Sequence, residues 1–141
     1  MKDYNIYLQK AHRFIVKEVL SDVAKTGLED ETALFISFQT DRKDVIIPDF
    51  VRAQYPKEIG IILQYQFSNL NVTDEYFSVD LAFGGVSSTI QVPFIALLQF
   101  VDKTSGFGFE LTPIPATKEK EEEITTFDNV DVIDLDRFRK K

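Results

Sequence analysis

Apolar residues recur every three or four positions at the start of the chain and alternate with polar residues further along. From Tyr4 to Thr26 this spacing predicts a helix with one apolar stripe, and Gly27 stands where a helix commonly ends. The stripe consists of Ile6, Ala11, Phe14, Ile15, Val19, Leu20 and Val23. A helix of this length is long for so small a domain. We therefore expect its stripe to cover the core and also to meet a partner chain.

A change to a period of two after Thr32 predicts short strands. The elements predicted there are a hairpin of residues 33–39 and 45–47 with its turn at residues 41–44, one or two helical turns within residues 48–55, and strands at residues 59–67 and Tyr76–Phe83. Alternation is clearest in the last strand, where Phe77, Val79 and Leu81 share one face. One helix followed by several strands predicts an α+β fold that is mainly β.

The paired glycines Gly84 and Gly85 predict a turn into a strand at residues 89–92. The apolar residues 94–101 predict a short buried helix, with a strand as the alternative, because a run of this length fits both. Residues 106–109 predict a last turn and an edge strand.

The composition changes after Pro113. Residues 118–123 read Lys-Glu-Lys-Glu-Glu-Glu, a charge run that has nothing to bury and predicts a solvated linker. Apolar residues return among charges from Val130 onward, which fits either a featureless chain end or a short docking peptide. We predict a folded domain at residues 1–113, a flexible linker at residues 114–129 and a docking motif at residues 130–141.

Composition argues against several kinds of chemistry. The chain has no cysteine, which removes disulfides, thiolate catalysis and cysteine-metal sites, and its net charge of -7 argues against binding a nucleic-acid backbone. His12 is the one histidine, and beside Arg13 in a helical segment it is better explained as structural than as catalytic. The 23 acidic residues form no recognisable acid/base motif, and Gly84-Gly85 lacks the Gly-Lys-Ser/Thr ending of a phosphate loop. We predict no catalytic residue, no metal and no cofactor.

The sequence shows neither a secretory signal nor a membrane span. Its N-terminus is polar, and its longest apolar run, residues 94–101, is interrupted by Gln99 and is too short to cross a bilayer. Because cysteine is also absent, a cytoplasmic protein is the simplest interpretation.

Several sequence blocks, taken in order, resemble one protein family. They are Tyr55-Pro56-Lys57-Glu58, residues 62–67, Phe77-Ser78-Val79, Phe83-Gly84-Gly85-Val86, Val92-Pro93-Phe94, Gly106-Phe107-Gly108-Phe109 and residues 132–140. Their joint order resembles the SspB family, and most closely its alphaproteobacterial branch. The resemblance runs from the first helix to the last residue. One departure is Ser87-Ser88-Thr89, which is small and polar where many relatives carry proline or charge.

The resemblance implies an adaptor of the ClpXP protease and not an enzyme. It implies an N-terminal helix followed by two small antiparallel sheets in an Sm-like barrel-sandwich, a disordered C-terminal tail, and a homodimer. Each subunit would hold the ssrA degradation tag of a substrate in a groove, and the tail would dock on the N-terminal domain of ClpX. The implied partners are therefore ssrA-tagged polypeptides, ClpX and a second copy, with neither nucleic acid nor a membrane.

The resemblance also implies which residues bind. The residues implied for the tag are Gln64, Gln66, Phe83, Gly84, Gly85, Phe107 and Phe109. Those implied for ClpX are Ile133, Leu135, Arg137, Phe138, Arg139 and Lys140. Glutamine amides donate and accept hydrogen bonds, and phenylalanines supply apolar walls, which suits an extended peptide. The same residue types are equally well explained as core phenylalanines and solvated strand glutamines.

Other functions remain open at this point. An Sm-like nucleic-acid-binding module is the main alternative, and the acidic composition weighs against it, as does the lack of a basic patch with interleaved aromatics in residues 1–113. A dimeric structural protein with a disordered tail is the second alternative, and a weak enzyme is the third.

Overall fold

The computed structural model describes residues 2–29, 31–65 and 67–115. Within this part of the chain the helices and strands are α1 Tyr4–Thr26, β1 Leu34–Gln39, α2 Asp49–Gln54, β2 Glu58–Leu63, β3 Ser68–Val72, β4 Tyr76–Phe83, β5 Val86–Pro93, β6 Leu97–Asp102 and β7 Gly108–Glu110. A single 3₁₀ turn, Phe94–Ala96, joins β5 to β6. The predicted disordered tail lies outside the described residues.

The strands form two small antiparallel sheets. The four-stranded sheet has the order β2-β1-β6-β7, and the three-stranded sheet has the order β3-β4-β5. A bridge between Ile46 and Gln91 connects the loop after β1 to β5. The predicted fold class, an N-terminal helix followed by two small antiparallel sheets, is confirmed.

Helix α1 begins and ends at the predicted residues. The Asp3 carboxylate caps its first turn by accepting a hydrogen bond from the Asn5 N–H at 3.0 Å, and the Gly27 N–H donates to the Val23 carbonyl at 2.7 Å. Gly27 has a φ of 81°, a conformation that favours glycine. The predicted stripe divides in two, because Leu20 and Val23 are buried whereas Phe14 is exposed.

The core lies between the helix and the inward faces of the two sheets. In β2, Ile59, Ile61 and Leu63 are buried and alternate with exposed residues, as a strand with one covered face requires. The inward residues of β4 are those predicted from its alternation, Phe77, Val79 and Leu81. Burying a large apolar side chain contributes about 1.5–3 kcal/mol to folding, so these alternating faces determine how the sheets pack.

The predicted hairpin of residues 33–39 and 45–47 is wrong. β1 pairs instead with β2 and β6, which lie further along the chain, and Ile46 bridges to Gln91 of the other sheet. The polar residues 41–44 do turn the chain, but the turn leads from one sheet to the other. Local turn composition indicates where a chain reverses, whereas the partner of a strand is decided by distant residues.

Two further predictions needed correction. The strand predicted at residues 59–67 ends at Leu63, and residues 68–72 form a separate strand, β3, which was not predicted because Ser68, Asn69 and Asn71 have low strand propensity. In the apolar run at residues 94–101, only the first three residues form a helical turn. The remainder belongs to β6, whose backbone is hydrogen-bonded to β1 and β7 on either side.

Candidate functional site

A groove of about 750 Å³ opens between the two sheets, and it is called the groove below. One side is the outward-facing part of β2, with Gly60 and Ile62. The opposite side is the end of β4 and its turn, with Phe83 and Gly84, and Val86 follows at the start of β5. Helix α2 covers one end. Two strands and a short helix therefore line the groove.

The side chains that line the groove are mostly apolar. Its floor includes the buried side chains of Val51, Ile61 and Leu81. Large apolar side chains along its rim remain exposed to solvent, namely Phe50 at 46%, Tyr55 at 45%, Ile62 at 49% and Val86 at 53%. No charged side chain lines it among the described residues. A contiguous exposed apolar surface of this kind is typical of a binding site, because leaving it in water is unfavourable.

Strand edges with unused backbone groups border the groove. β2 is an edge strand whose one partner in the described sheet is β1. Among the described residues, pairing of β4 with β3 stops at Asp80 opposite Ser68, and Leu81–Phe83 pair with β5. An added peptide strand is able to hydrogen-bond to such edges, while apolar pockets select its side chains.

A half-buried arginine holds α2 in place at the end of the groove. The Arg52 guanidinium donates to the backbone carbonyls of Thr40, Arg42 and Val45. The Thr40 hydroxyl in turn donates to the Tyr55 carbonyl just after the helix. Charge-assisted hydrogen bonds to several carbonyls are stronger than neutral ones, so this short helix is fixed although six residues alone would not form a stable helix.

The turn between β4 and β5 depends on its two glycines. Phe83 pairs with Val86, which leaves Gly84 and Gly85 as a two-residue turn with φ values of 58° and 84°. Positive φ at both positions is the type I′ geometry that matches the twist of a hairpin, and glycine adopts it at low cost. The turn brings Gly84 to the groove, where no side chain blocks the backbone.

The structure brings together part of the predicted tag-binding set. Phe83 and Gly84 line the groove, and Gly85 adjoins them in the same turn. Gln64 is half-buried and directly follows β2, the strand that forms one wall. Gln66 lies outside the described residues, and its role stays a prediction.

Phe107 and Phe109 lie at the other edge of the four-stranded sheet. The Phe109 ring belongs to β7 and stacks on the His12 ring of α1, with centroids 4.1 Å apart and an interplanar angle of 8°. Phe107 packs against Phe109 edge-on and is itself 54% exposed. β7 and β2 are the two edges of this sheet, so the structure does not bring these phenylalanines together with Phe83. Their predicted contact with the tag stays a prediction.

Several groove residues were missed from the sequence. Phe50 and Tyr55 come from the short helical segment and the residue after it, and Ile62 occupies an outward position of β2. One signal was available: the run Ile59-Gly60-Ile61-Ile62 has apolar or small residues on both faces of a strand, which indicates that both faces are covered. The predicted ClpX-docking residues, from Ile133 to Lys140, lie outside the described residues.

A model of the stringent starvation protein B family, SspB, matches residues 6–134, which is nearly the whole chain. The chain belongs to the SspB family. The predicted family is therefore confirmed, and membership supports a general role as an adaptor of the ClpXP protease, which is not an enzymatic role. A search of curated proteins finds no match. No helix within residues 2–29, 31–65 and 67–115 of this SspB-family chain has the length and apolarity needed to cross a membrane.

Proposed function

We propose that this SspB-family protein binds the ssrA degradation tag in the groove and tethers tagged substrates to ClpX through its C-terminal tail. The observation that carries the proposal is the groove itself, which is lined mostly by apolar side chains and bordered by open strand edges. An extended peptide entering it gains backbone hydrogen bonds from the edges and apolar contacts from Phe83, Ile62 and Phe50. Family membership supplies the adaptor role that this binding would serve.

The proposed division of the chain gives tethering a physical basis. The domain at residues 1–113 holds the tag, the linker at residues 114–129 gives reach, and residues 130–141 dock on the N-terminal domain of ClpX. A flexible linker of sixteen residues has a root-mean-square span of about 22 Å by coil scaling. Tethering over that distance raises the local substrate concentration to about millimolar near the unfoldase.

A homodimer through α1 completes the proposal. Exposed apolar side chains follow a second stripe along the N-terminal half of this helix, opposite the buried Val16, Leu20 and Val23. The stripe consists of Tyr4, Tyr7, Leu8, Ala11 and Phe14. Tyr4 is 75% exposed and Phe14 is 58% exposed, and two such stripes crossing at a two-fold axis would bury each other.

Two exposed apolar side chains of similar accessibility test where the tag binds. Ile62 in the groove is 49% exposed and Phe107 near α1 is 54% exposed. We expect Ile62→Ala to weaken binding of a fluorescent ssrA peptide about tenfold, since each CH₂ it would bury contributes about 0.8 kcal/mol. Because Phe107 lies outside the groove, the groove proposal predicts that Phe107→Ala leaves the affinity unchanged, whereas the family resemblance, which implies Phe107 for the tag, predicts a loss. Fluorescence anisotropy measures both, with circular dichroism as the check on folding.

Gln64→Ala tests the polar part of the site. Losing a hydrogen-bond partner of a bound peptide costs about 1–3 kcal/mol, which weakens binding roughly ten- to hundredfold. If Phe107→Ala weakens tag binding while Ile62→Ala and Gln64→Ala do not, the site lies near β7 and the groove proposal is wrong. Titration of labelled RNA into the same preparation addresses the nucleic-acid alternative, which predicts salt-sensitive RNA binding without peptide binding.

A further inference from the structure

A second cleft, called the basic cleft below, lies between α1 and the three-stranded sheet and has a volume of about 670 Å³. Lys10, Arg13 and Lys17 line it from α1, at spacings of three and four that place them along one side of the helix. The aromatic rings of Phe14, Tyr76 and Phe94 also line it. The cleft therefore combines a row of cations with an apolar surface.

Two of the three cations have no counter-ion in the described chain. Lys17 pairs with Asp74 at 2.9 Å, and Asp44, which also lines the cleft, pairs with Arg42 at 2.8 Å. The side chains of Lys10 and Arg13 make no ion pair or hydrogen bond within residues 2–29, 31–65 and 67–115.

In its environment, the Arg13 guanidinium is energetically unfavourable without a counter-ion. The residue is half-buried, and this burial lowers the pKa of its guanidinium. The remaining acidic group at the cleft is Glu75, which is exposed. Two cations and one exposed carboxylate give this part of the cleft a positive net charge. This charge favours an acidic ligand, although the chain as a whole is acidic.

The chain leaves the described domain at the rim of this cleft. The Ile114 N–H donates to the carbonyl of Ile95, a cleft residue, at 2.8 Å. The Arg42 guanidinium, which also holds Asp44, donates to the Ile114 carbonyl. Because Arg42 is buried, these bonds fix the point from which the following residues start.

The sequence after Pro115 complements the cleft and is long enough to enter it. It carries glutamates at 119, 121, 122 and 123, followed by Ile124 and Phe127. Six extended residues from Pro115 to Glu121 span about 20 Å, whereas Lys10 and Lys17 are separated by about 10.5 Å along the helix.

We propose that residues 119–127 of this chain dock in its own basic cleft. The carboxylates of residues 121–123 pair with Lys10 and Arg13, and the apolar side chains of Ile124 and Phe127 contact the aromatic surface. Exposed ion pairs are individually weak and are screened by salt, so the docked and released forms exchange readily. When residues 119–127 are bound in the cleft, the tether is shorter. The docking motif at residues 130–141 then stays closer to the folded domain. The inference rests on the proposed function only in treating residues 114–129 as the linker.

Paramagnetic relaxation in the full chain tests the docking. Because the chain has no cysteine, Asn129→Cys gives a single site for a spin label. We expect the label to broaden the amide resonances of Lys10, Arg13 and Lys17 at low salt. The broadening should fall by at least half when salt is raised from about 0.01 M to about 1 M, which shortens the Debye length from about 30 Å to about 3 Å.

Matched variants decide between docking and chance proximity. Lys10→Gln with Arg13→Gln should abolish the broadening, whereas Lys25→Gln with Lys103→Gln, which removes the same charge from exposed residues elsewhere, should not. Lys10→Glu with Arg13→Glu should also abolish it, and adding Glu121→Lys, Glu122→Lys and Glu123→Lys should restore it.

The proposal would be overturned if the Lys10/Arg13 variants showed the same broadening as the unsubstituted background. It would also be overturned if no broadening were seen at low salt. Broadening that persists undiminished when spin label and isotope label are on different chains would overturn it as well, since the segment would then dock on a neighbour. Tag affinity measured on the same samples reports on the groove separately, so failure of linker docking and failure of tag binding remain distinguishable.

Discussion

Gly60 shows how one residue shapes a wall of the groove. It occupies an outward position of β2, and the Phe35 ring of the neighbouring strand lies across it: a Cβ at Gly60 would come within 2.6 Å of the Phe35 Cε1. The absence of a side chain therefore lets this ring cover the strand next to Ile62. Contact across strands of this kind depends on the register of β1 and β2, which the sequence alone does not give.

Asp80 predicts a pH dependence of stability. The Thr89 hydroxyl donates to its Oδ1 at 2.5 Å and the Asn69 amide donates to its Oδ2 at 2.7 Å; these bonds, the first above all, lower the pKa of the Asp80 carboxyl. The contribution to stability is fully present above the pKa of the unfolded chain and is lost as the pH falls through the lowered pKa of the folded protein. We expect Asp80→Asn to lower the melting temperature at neutral pH, with a difference from the unsubstituted protein that shrinks in acid.

Thr89→Val is the matched test of this cause, because it removes the first donor and keeps the carboxylate. It should lower the melting temperature in the same pH range, whereas Ser87→Ala, an exposed residue of the same strand, should not. A difference between Asp80→Asn and the unsubstituted protein that stays constant down to the acid limit would contradict the argument.

At the scale of elements, local sequence signals predicted the position and type of each helix or strand better than they predicted which strands pair. The bounds of α1 and β4 follow from periodicity within the element and from the residues that end it, Gly27 and Gly84, so they were predictable. Pairing is a property of distant segments: residues 45–47 join β5 rather than β1, and β3 is kept as a strand by β4 despite its asparagines. The same limit applies to the site. The sequence indicates Phe83 and Gly84 because the paired glycines predict a turn there. The position of Phe109 against His12, in contrast, depends on how β7 packs on α1.

The two faces of α1 predict a dimer that charge should break. Leu8 and Phe14 are 51% and 58% exposed, on the side away from the buried Leu20. We expect Leu8→Glu with Phe14→Glu to weaken dimerisation at least about hundredfold, because a symmetric interface would have to bury four carboxylates. Light scattering should change from twice the 16.2 kDa mass of one chain to the mass of one chain, with the circular dichroism spectrum unchanged.

Glu18→Gln with Asp22→Asn serves as the control, because it changes charge on exposed positions of the same helix beyond the apolar stripe. It should leave the dimer intact. If the unsubstituted protein is a monomer at micromolar concentration irrespective of dilution, the proposed α1 interface is wrong.

In the whole molecule, tag binding and dimerisation are proposed for separate surfaces. The groove lies at the β2 edge and is closed by α2, the exposed apolar stripe runs along α1, and the chain leaves the described domain where Ile114 bonds to Ile95. Arg42 and Arg52 connect the loop after β1 to both the chain exit and α2. Holding a tag and pairing with a second copy therefore do not compete for the same residues, whereas the dimer stripe and the basic cleft share Phe14.

This separation predicts that holding a substrate and delivering it can be uncoupled. Deleting residues 130–141 should leave tag affinity and the melting temperature nearly unchanged, because the groove and the described core lie before residue 116. It should abolish the stimulation of ClpXP degradation of a dilute ssrA-tagged reporter, since the gain in effective concentration needs the docking end. Leu135→Ala with Phe138→Ala should reproduce most of this loss, and Thr125→Ala with Thr126→Ala in the linker should not. The truncated protein should even inhibit, because it sequesters tagged substrate away from ClpX. If it stimulates degradation as well as the full chain does, the tail is not the docking element and the proposed tethering mechanism is wrong.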